Sequence, residues 1–183
     1  MTISKMHLYM ALHLSILFTF VNGFLLKNET GLGTIVKQNG CPDGWTRYDL
    51  NCYHYSSSRQ TWTTAEATCE QFGGHLVVIE DNDEDSFIER FIKRFLTLSR
   101  NYAHDWTFNY TWIGASDLAK EGNWLWITGK TLGLYTNWRA PNPNNGNGYF
   151  EEDCMDWSFS GWNDNNCASR LNFVCEKEGN GRH

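Results

Sequence analysis

The chain has 183 residues, a formal net charge of −6 at neutral pH and nine tryptophans. That length supports one domain with a core of its own, and the acidic balance argues against nucleic acid or an anionic membrane surface as the main partner. Tryptophan brings large buried area with a polar handle and also serves sugar-binding surfaces, so its abundance suits both a core and a ligand face.

Residues 1–23 read as a secretory signal peptide: Lys5 gives a positive start, residues 10–21 are mostly apolar, and Val21-Asn22-Gly23 ends on small residues. That run is short for a bilayer span, and no later apolar run approaches the ~18 residues of a transmembrane helix. The expectation is a secreted, extracellular protein with no membrane span. Residues 24–40 lack periodicity and read as a flexible leader. Two sequons, Asn28-Glu29-Thr30 and Asn109-Tyr110-Thr111, make Asn28 and Asn109 the expected glycan acceptors.

The domain begins at the turn signal Cys41-Pro42-Asp43-Gly44-Trp45. A pair of short strands is expected over residues 47–55. A helix follows over about residues 61–72, with Trp62, Ala65, Ala67, Cys69 and Phe72 as its apolar positions and Gly73-Gly74 as its stop. His75-Leu76-Val77-Val78-Ile79 is a β-type run, with His75 read as a structural strand-edge histidine. Asn82-Asp83-Glu84-Asp85 then opens a second helix whose apolar face is Phe87, Ile88, Phe91, Ile92, Phe95 and Leu96. Residues 97–110 read as a loop. Short strands are expected at Trp112-Ile113-Gly114, Trp124-Leu125-Trp126-Ile127, Cys154-Met155-Asp156-Trp157 and Phe173-Val174-Cys175-Glu176. Helices early, short strands later and a long polar loop region define an α+β domain over residues 41–177, with a tail at 178–183 and no internal repeat.

Between Trp138 and Cys167 lies a dense run of oxygen donors: Asn142-Pro143-Asn144-Asn145, Glu151-Glu152-Asp153-Cys154 and Trp162-Asn163-Asp164. Hard cations such as calcium take six to eight oxygens from such residues, whereas softer metals want sulfur or imidazole. A solvated polar loop is the plainer reading of an Asn/Gly/Asp-rich stretch. Carboxylates recurring at tight spacing between two cysteines favour a calcium site. Six cysteines in an exported chain indicate three disulfides, although spacing alone leaves fifteen pairings open. Neither C-x-x-C nor a histidine pair with zinc spacing occurs.

These residues together resemble the C-type lectin domain family. The resemblance rests on Cys41-Pro42-x-Gly44-Trp45, Cys52-Tyr53, Trp62-x-x-Ala65-x-x-x-Cys69, Gly74-His75-Leu76-Val77, Trp112-Ile113-Gly114, Trp162-Asn163-Asp164-x-x-Cys167 and Phe173-Val174-Cys175-Glu176. It implies a C-type lectin-like fold of two helices, small antiparallel sheets and a long calcium-binding loop region. It also implies the bridges Cys41–Cys52, Cys69–Cys175 and Cys154–Cys167.

In that family a Glu-Pro-Asn or Gln-Pro-Asp tripeptide with a cis proline marks the sugar-binding calcium site. Ala140-Pro141-Asn142 and Asn142-Pro143-Asn144 both offer a register; the usual four-residue offset from a tryptophan, here Trp138, selects the second. The resemblance then implies a principal site of Asn142, Asn144, Glu152, Asn163 and Asp164 that holds calcium and sugar together. It implies a second, structural site of Asp117, Glu121, Asn145 and Asp153, with Glu152 shared. The departure is Asn142, where relatives carry Glu or Gln. An amide whose oxygen is on calcium offers only donors to a sugar hydroxyl, so binding is expected to be retuned and weakened. Asn144 leans toward mannose- or fucose-type glycans as partners.

The expected function is a secreted calcium-dependent lectin used in glycan recognition. The alternative is a calcium-stabilised module that binds a protein or mineral surface without sugar. An enzyme is not expected: Gly-x-Ser-x-Gly, His-Glu-x-x-His and phosphate-binding loops do not occur.

Overall fold

The computed structural model describes residues 40–98, 110–158 and 161–180. The expected signal segment, all of the leader but Gly40, and both sequon asparagines lie outside them.

Strands β1 (Thr46–Tyr48) and β2 (Asn51–Gln60) form a hairpin, with Asp49 in the left-handed region at its turn. Helix α1 (Trp62–Gln71) follows at the expected place. The Thr61 hydroxyl caps it by accepting from Thr64 N, and Gly73, at φ +77°, stops it. Trp62, Ala65 and Cys69 face inward. Strand β3 (His75–Leu76) is only the start of the expected run, but Val77, Val78 and Ile79 stay buried.

Helix α2 (Asn82–Leu98) is capped one residue earlier than the sequence suggests: Asp81 Oδ1 accepts from Asp83 N at 2.9 Å and Glu84 N at 2.8 Å. Ile88, Phe91 and Ile92 enter the core. Phe87 and Phe95 stack on Tyr48 and Tyr55, with ring centroids 4.2 and 4.6 Å apart.

The remaining strands are β4 (Thr111–Ser116), β5 (Leu125–Trp126), β6 (Cys154–Ser158), β7 (Gly161–Asn165) and β8 (Leu171–Glu178). Their order is β1-β2-β8-β4-β6-β7, with β3 pairing β8 and β5 pairing β4. The small antiparallel sheets are thus joined into one mixed sheet, because β4 and β8 pair in parallel at Thr111–Asn172 and Trp112–Phe173. Gly114 lets β4 pass close to β3 and the residue that follows it. A Cβ there would stand 2.6 Å from Leu76 O and 2.9 Å from Val77 O, too close for any side chain.

Of the eight tryptophans among the described residues, six are buried: Trp62, Trp112, Trp124, Trp126, Trp157 and Trp162. Most of the tryptophan is therefore core. Trp62 Nε1 donates to Ile113 O and Trp112 Nε1 to Gln60 O, both at 2.9 Å, so two large rings are buried with their polar ends paired.

Cys41–Cys52, Cys69–Cys175 and Cys154–Cys167 are the three bridges, as the resemblance implied. Cys69–Cys175 ties α1 to β8 across 106 residues, and Cys154–Cys167 joins the start of β6 to the segment after β7. Loop-closure entropy assigns about 4–5 kcal/mol to a bridge of the longer span. The Cys69→Ser/Cys175→Ser variant is expected to lose stability on that scale in urea unfolding, well beyond what loss of Cys41–Cys52 costs.

Candidate functional site

The chain between β5 and β6 is tied to the body of the domain through Trp162. Trp162 N donates to Asn137 O at 2.7 Å, and Arg139 N donates to Trp162 O at 2.9 Å, so residues 137–139 run beside β7. From there the chain enters Ala140-Pro141-Asn142-Pro143-Asn144, in which both X–Pro bonds are cis.

Asn145, Gly146, Asn147 and Gly148 follow with φ of 43°, 55°, 55° and 78°. Four consecutive left-handed residues form a tight turn that only Gly and Asn adopt at low cost, which accounts for the alternating Asn-Gly sequence. The turn aims successive backbone N–H groups at carboxylates. Asn144 N and Asn145 N donate to Asp164 Oδ2 at 2.6 and 2.7 Å, and Gly146 N donates to Glu152 Oε2 at 2.8 Å. Asn145 Oδ1 closes the turn by accepting from Glu152 N at 2.8 Å.

Asn163 and Asp164 lie on β7 rather than in the polar loop that the sequence suggested. Strand pairing with β6 (Asp156↔Asn163, Met155↔Asp164) makes them a rigid floor. A chain of side-chain amides rests on it. Asn144 Nδ2 donates to Asn142 Oδ1, Asn142 Nδ2 donates to Asn163 Oδ1 at 2.5 Å, and Asn163 Nδ2 donates to Asp156 Oδ2 at 3.2 Å. Asn142, Asn163 and Asp164 are buried, and Asn144 and Glu152 are half-buried. The structure thus brings Asn142, Asn144, Asn163 and Asp164 together, and Glu152 is held to the same turn.

The other predicted group also gathers. Carboxylate oxygens of Asp117, Glu121 and Asp153 lie within 4.8 Å of one another. Asp117 follows β4; its N donates to Asp153 O at 3.1 Å and its Oδ2 accepts from Gly122 N at 2.8 Å. Asn145 and Glu152, which the resemblance assigns to this group as well, are joined to each other in the turn, Glu152 N donating to Asn145 Oδ1.

Two observations test these clusters against a hard divalent cation. Asp164 Oδ1 and Asp117 Oδ1 are buried and have no hydrogen-bond partner, one bare oxygen in each cluster. Each donor set is made of oxygen alone, which suits calcium and not a soft metal. The carboxylates also crowd one another. Asp117 is raised by burial, with Asp153 and Asp164 adding to it, and Glu152 by burial and then by Asp164. Asp153 is raised by burial and by Glu151, and Glu121 by desolvation, Asp117 and Asp153. A divalent cation fits both clusters.

Two residues of this region were not anticipated. Asp156, wholly buried, accepts from Asn163 and Asn165 Nδ2 (3.0 Å), and burial pushes its carboxyl up to about 7. Arg139 Nη2 donates to Asn163 Oδ1 at 3.0 Å. The available signal was position: Asp156 stands two residues after Cys154 on an expected strand, and Arg139 directly follows Trp138.

Residues 58–177 match the family model described as the Lectin C-type domain. The chain is 36% identical over 139 residues to C-type lectin domain family 4 member M of Nomascus concolor, covering 75% of this chain and 31% of that protein. It therefore spans about a third of that relative's length. Among solved structures, the mouse scavenger receptor C-type lectin carbohydrate-recognition domain is 32% identical with a TM-score of 0.65, over 76% of this chain and 99% of that one. The carbohydrate-recognition domain of cow CD23, solved in the presence of a GlcNAc2Man3 oligosaccharide, is 31% identical with a TM-score of 0.64, over 77% and 98%. A calcium-independent type II antifreeze protein is 27% identical with a TM-score of 0.60, over 76% and 95%. The chain belongs to the C-type lectin domain family.

Carboxyls raised in the fold bind protons more tightly folded than unfolded. Asp156 therefore contributes stability that is full below its ordinary 3.8 and is lost as pH rises through about 7. Glu176, pushed up to about 7 mainly by burial on β8, acts in the same direction. Metal-free protein is expected to resist urea better at pH 5 than at pH 8, by about 2–4 kcal/mol. Asp156→Asn is expected to flatten that slope.

Proposed function

We propose that this protein is a secreted lectin that binds glycans through calcium held by Asn142, Asn144, Glu152, Asn163 and Asp164. A second ion is held by Asp117, Glu121, Asn145, Glu152 and Asp153. The observation that carries the reading is the bare, buried Oδ1 of Asp164, whose other oxygen holds the backbone of Asn144 and Asn145. Family membership and the glycan in the cow CD23 structure support it. Among the described residues, no helix is long and apolar enough to cross a membrane.

Bound calcium supplies direct coordination of two neighbouring sugar hydroxyls; the side chains supply the hydrogen bonds around them. Glu152 is the acceptor and Asn163 the donor on one side. On the other, Asn142 and Asn144 are both donors, so one hydroxyl proton lacks an acceptor, at a cost of about 1–3 kcal/mol. Asn144 leans the site toward mannose- or fucose-type glycans. No catalytic role is proposed for these carboxylates.

A second reading has its own support. The side-chain amides of Asn142, Asn144 and Asn163 are hydrogen-bonded to one another, and one structural neighbour is described as calcium-independent. On that reading the domain binds a protein or mineral surface without sugar.

The oxidised protein on a glycan array, in millimolar calcium, is expected to bind mannose- or fucose-type glycans and to lose them with chelator or with Asp164→Asn. Asn142→Glu is expected to strengthen that binding about tenfold. Galactose binding instead would reverse the specificity, and a calcium-raised melting temperature with no glycan bound would favour the second reading.

A further inference from the structure

Arg139 is fixed on both sides of its own peptide. Its N–H donates to Trp162 O at 2.9 Å, and its carbonyl accepts from Asn142 N at 2.7 Å. Backbone so held beside β7 delivers the guanidinium to Asn163, where Nη2 donates to Oδ1 at 3.0 Å. The same oxygen accepts from Asn142 Nδ2 at 2.5 Å. An amide oxygen has two lone pairs, so Asn163 Oδ1 is full.

The next residue along β7 carries an unsatisfied one. Asp164 is 1% exposed, its Oδ2 takes two backbone N–H groups, and its Oδ1 takes nothing. Asp156 and Glu152 add further negative charge around the same floor, and the acidic trio of Asp117, Glu121 and Asp153 stands next to it. The Arg139 guanidinium bonds a neutral amide and brings a positive charge to this acidic floor. A metal that takes Asn163 Oδ1 requires one donor to leave. Asn142 is neutral and can turn its own oxygen toward a cation, whereas Arg139 repels one.

We propose that Arg139 is an internal cation that closes the principal site and competes with calcium for Asn163. The site then has two exclusive states, guanidinium-held and metal-held, and its calcium affinity is set by their difference. This rests on reading the cluster as a calcium site. It also gives Arg139 a role in ligand binding without sugar contact, because glycan binding requires the metal-held state.

The test is calorimetric titration of calcium chloride into the oxidised, chelator-stripped protein, with Asp164→Asn used to identify the principal-site transition. Arg139→Gln is expected to tighten that transition about tenfold and leave the second one within twofold, while Arg139→Lys, which keeps the charge, stays near wild type. Melting provides the crossed readout. Arg139→Gln is expected to melt below wild type in chelator and at or above it in millimolar calcium, a reversal that a packing role for Arg139 would not produce. An Arg139→Gln transition within twofold of wild type overturns the proposal and leaves the calcium reading standing. Absence of any transition removed by Asp164→Asn overturns the calcium reading and the proposal with it.

Discussion

The buried carboxylate of Asp85 connects the helical half of this domain to the half that carries the candidate site. It lies in the first turn of α2, 4% exposed, and accepts from Trp162 Nε1 at 3.0 Å, Tyr135 OH at 2.9 Å and Asn137 Nδ2 at 2.6 Å. Three donors from two separate segments thus converge on one acid, and each would cost about 1–3 kcal/mol if left unpaired. Trp162 precedes Asn163 and Asp164 directly, and Asn137 is two residues from Arg139. The position of α2, set by Ile88, Phe91 and Ile92 in the core, therefore fixes both the floor of the site and the entry to the loop above it.

Given that frame, the left-handed turn at residues 145–148 determines how the two clusters relate. Its backbone N–H groups hold one oxygen of Asp164 and one of Glu152, which leaves the remaining carboxylate oxygens for other partners. The turn also carries Asn145, whose Oδ1 accepts from Glu152 N. One turn, hydrogen-bonded at both ends, thus carries side chains that the resemblance assigns to each cluster.

Much of this was legible from local chemistry. Thr61 and Gly73-Gly74 bracketed α1, and the apolar spacing of Phe87, Ile88, Phe91 and Ile92 gave α2 its inward face. The cysteine pairing came from resemblance, since spacing alone could not choose among fifteen. Strand β7 was missed because Gly161-Trp162-Asn163-Asp164-Asn165 is polar, and its strand character comes from pairing with β6 rather than from propensity. The cap at Asp81 was missed because Asn82 and Asp83 offer the same chemistry one and two residues later. Asp85 looked like another exposed acid of the first turn. Only the tertiary arrangement brings Trp162, Tyr135 and Asn137 to it.

The substitution that separates this site from the Glu-Pro-Asn pattern acts on charge and on hydrogen bonding at once. With Asn at 142, the principal cluster has Glu152 and Asp164 as its carboxylates, and Asn142 becomes a link that donates to Asn163 and accepts from Asn144. A glutamate at that position could accept but not donate, so the amide chain would break at its link to Asn163. On the calcium reading, the same exchange lowers the charge available to the ion and gives the loop an ordered, hydrogen-bonded arrangement of its own, with Arg139 placing positive charge beside it. Loss of one carboxylate and presence of one guanidinium then act in the same direction, and calcium affinity would depend on the stability of that arrangement as much as on the number of oxygens that face the ion.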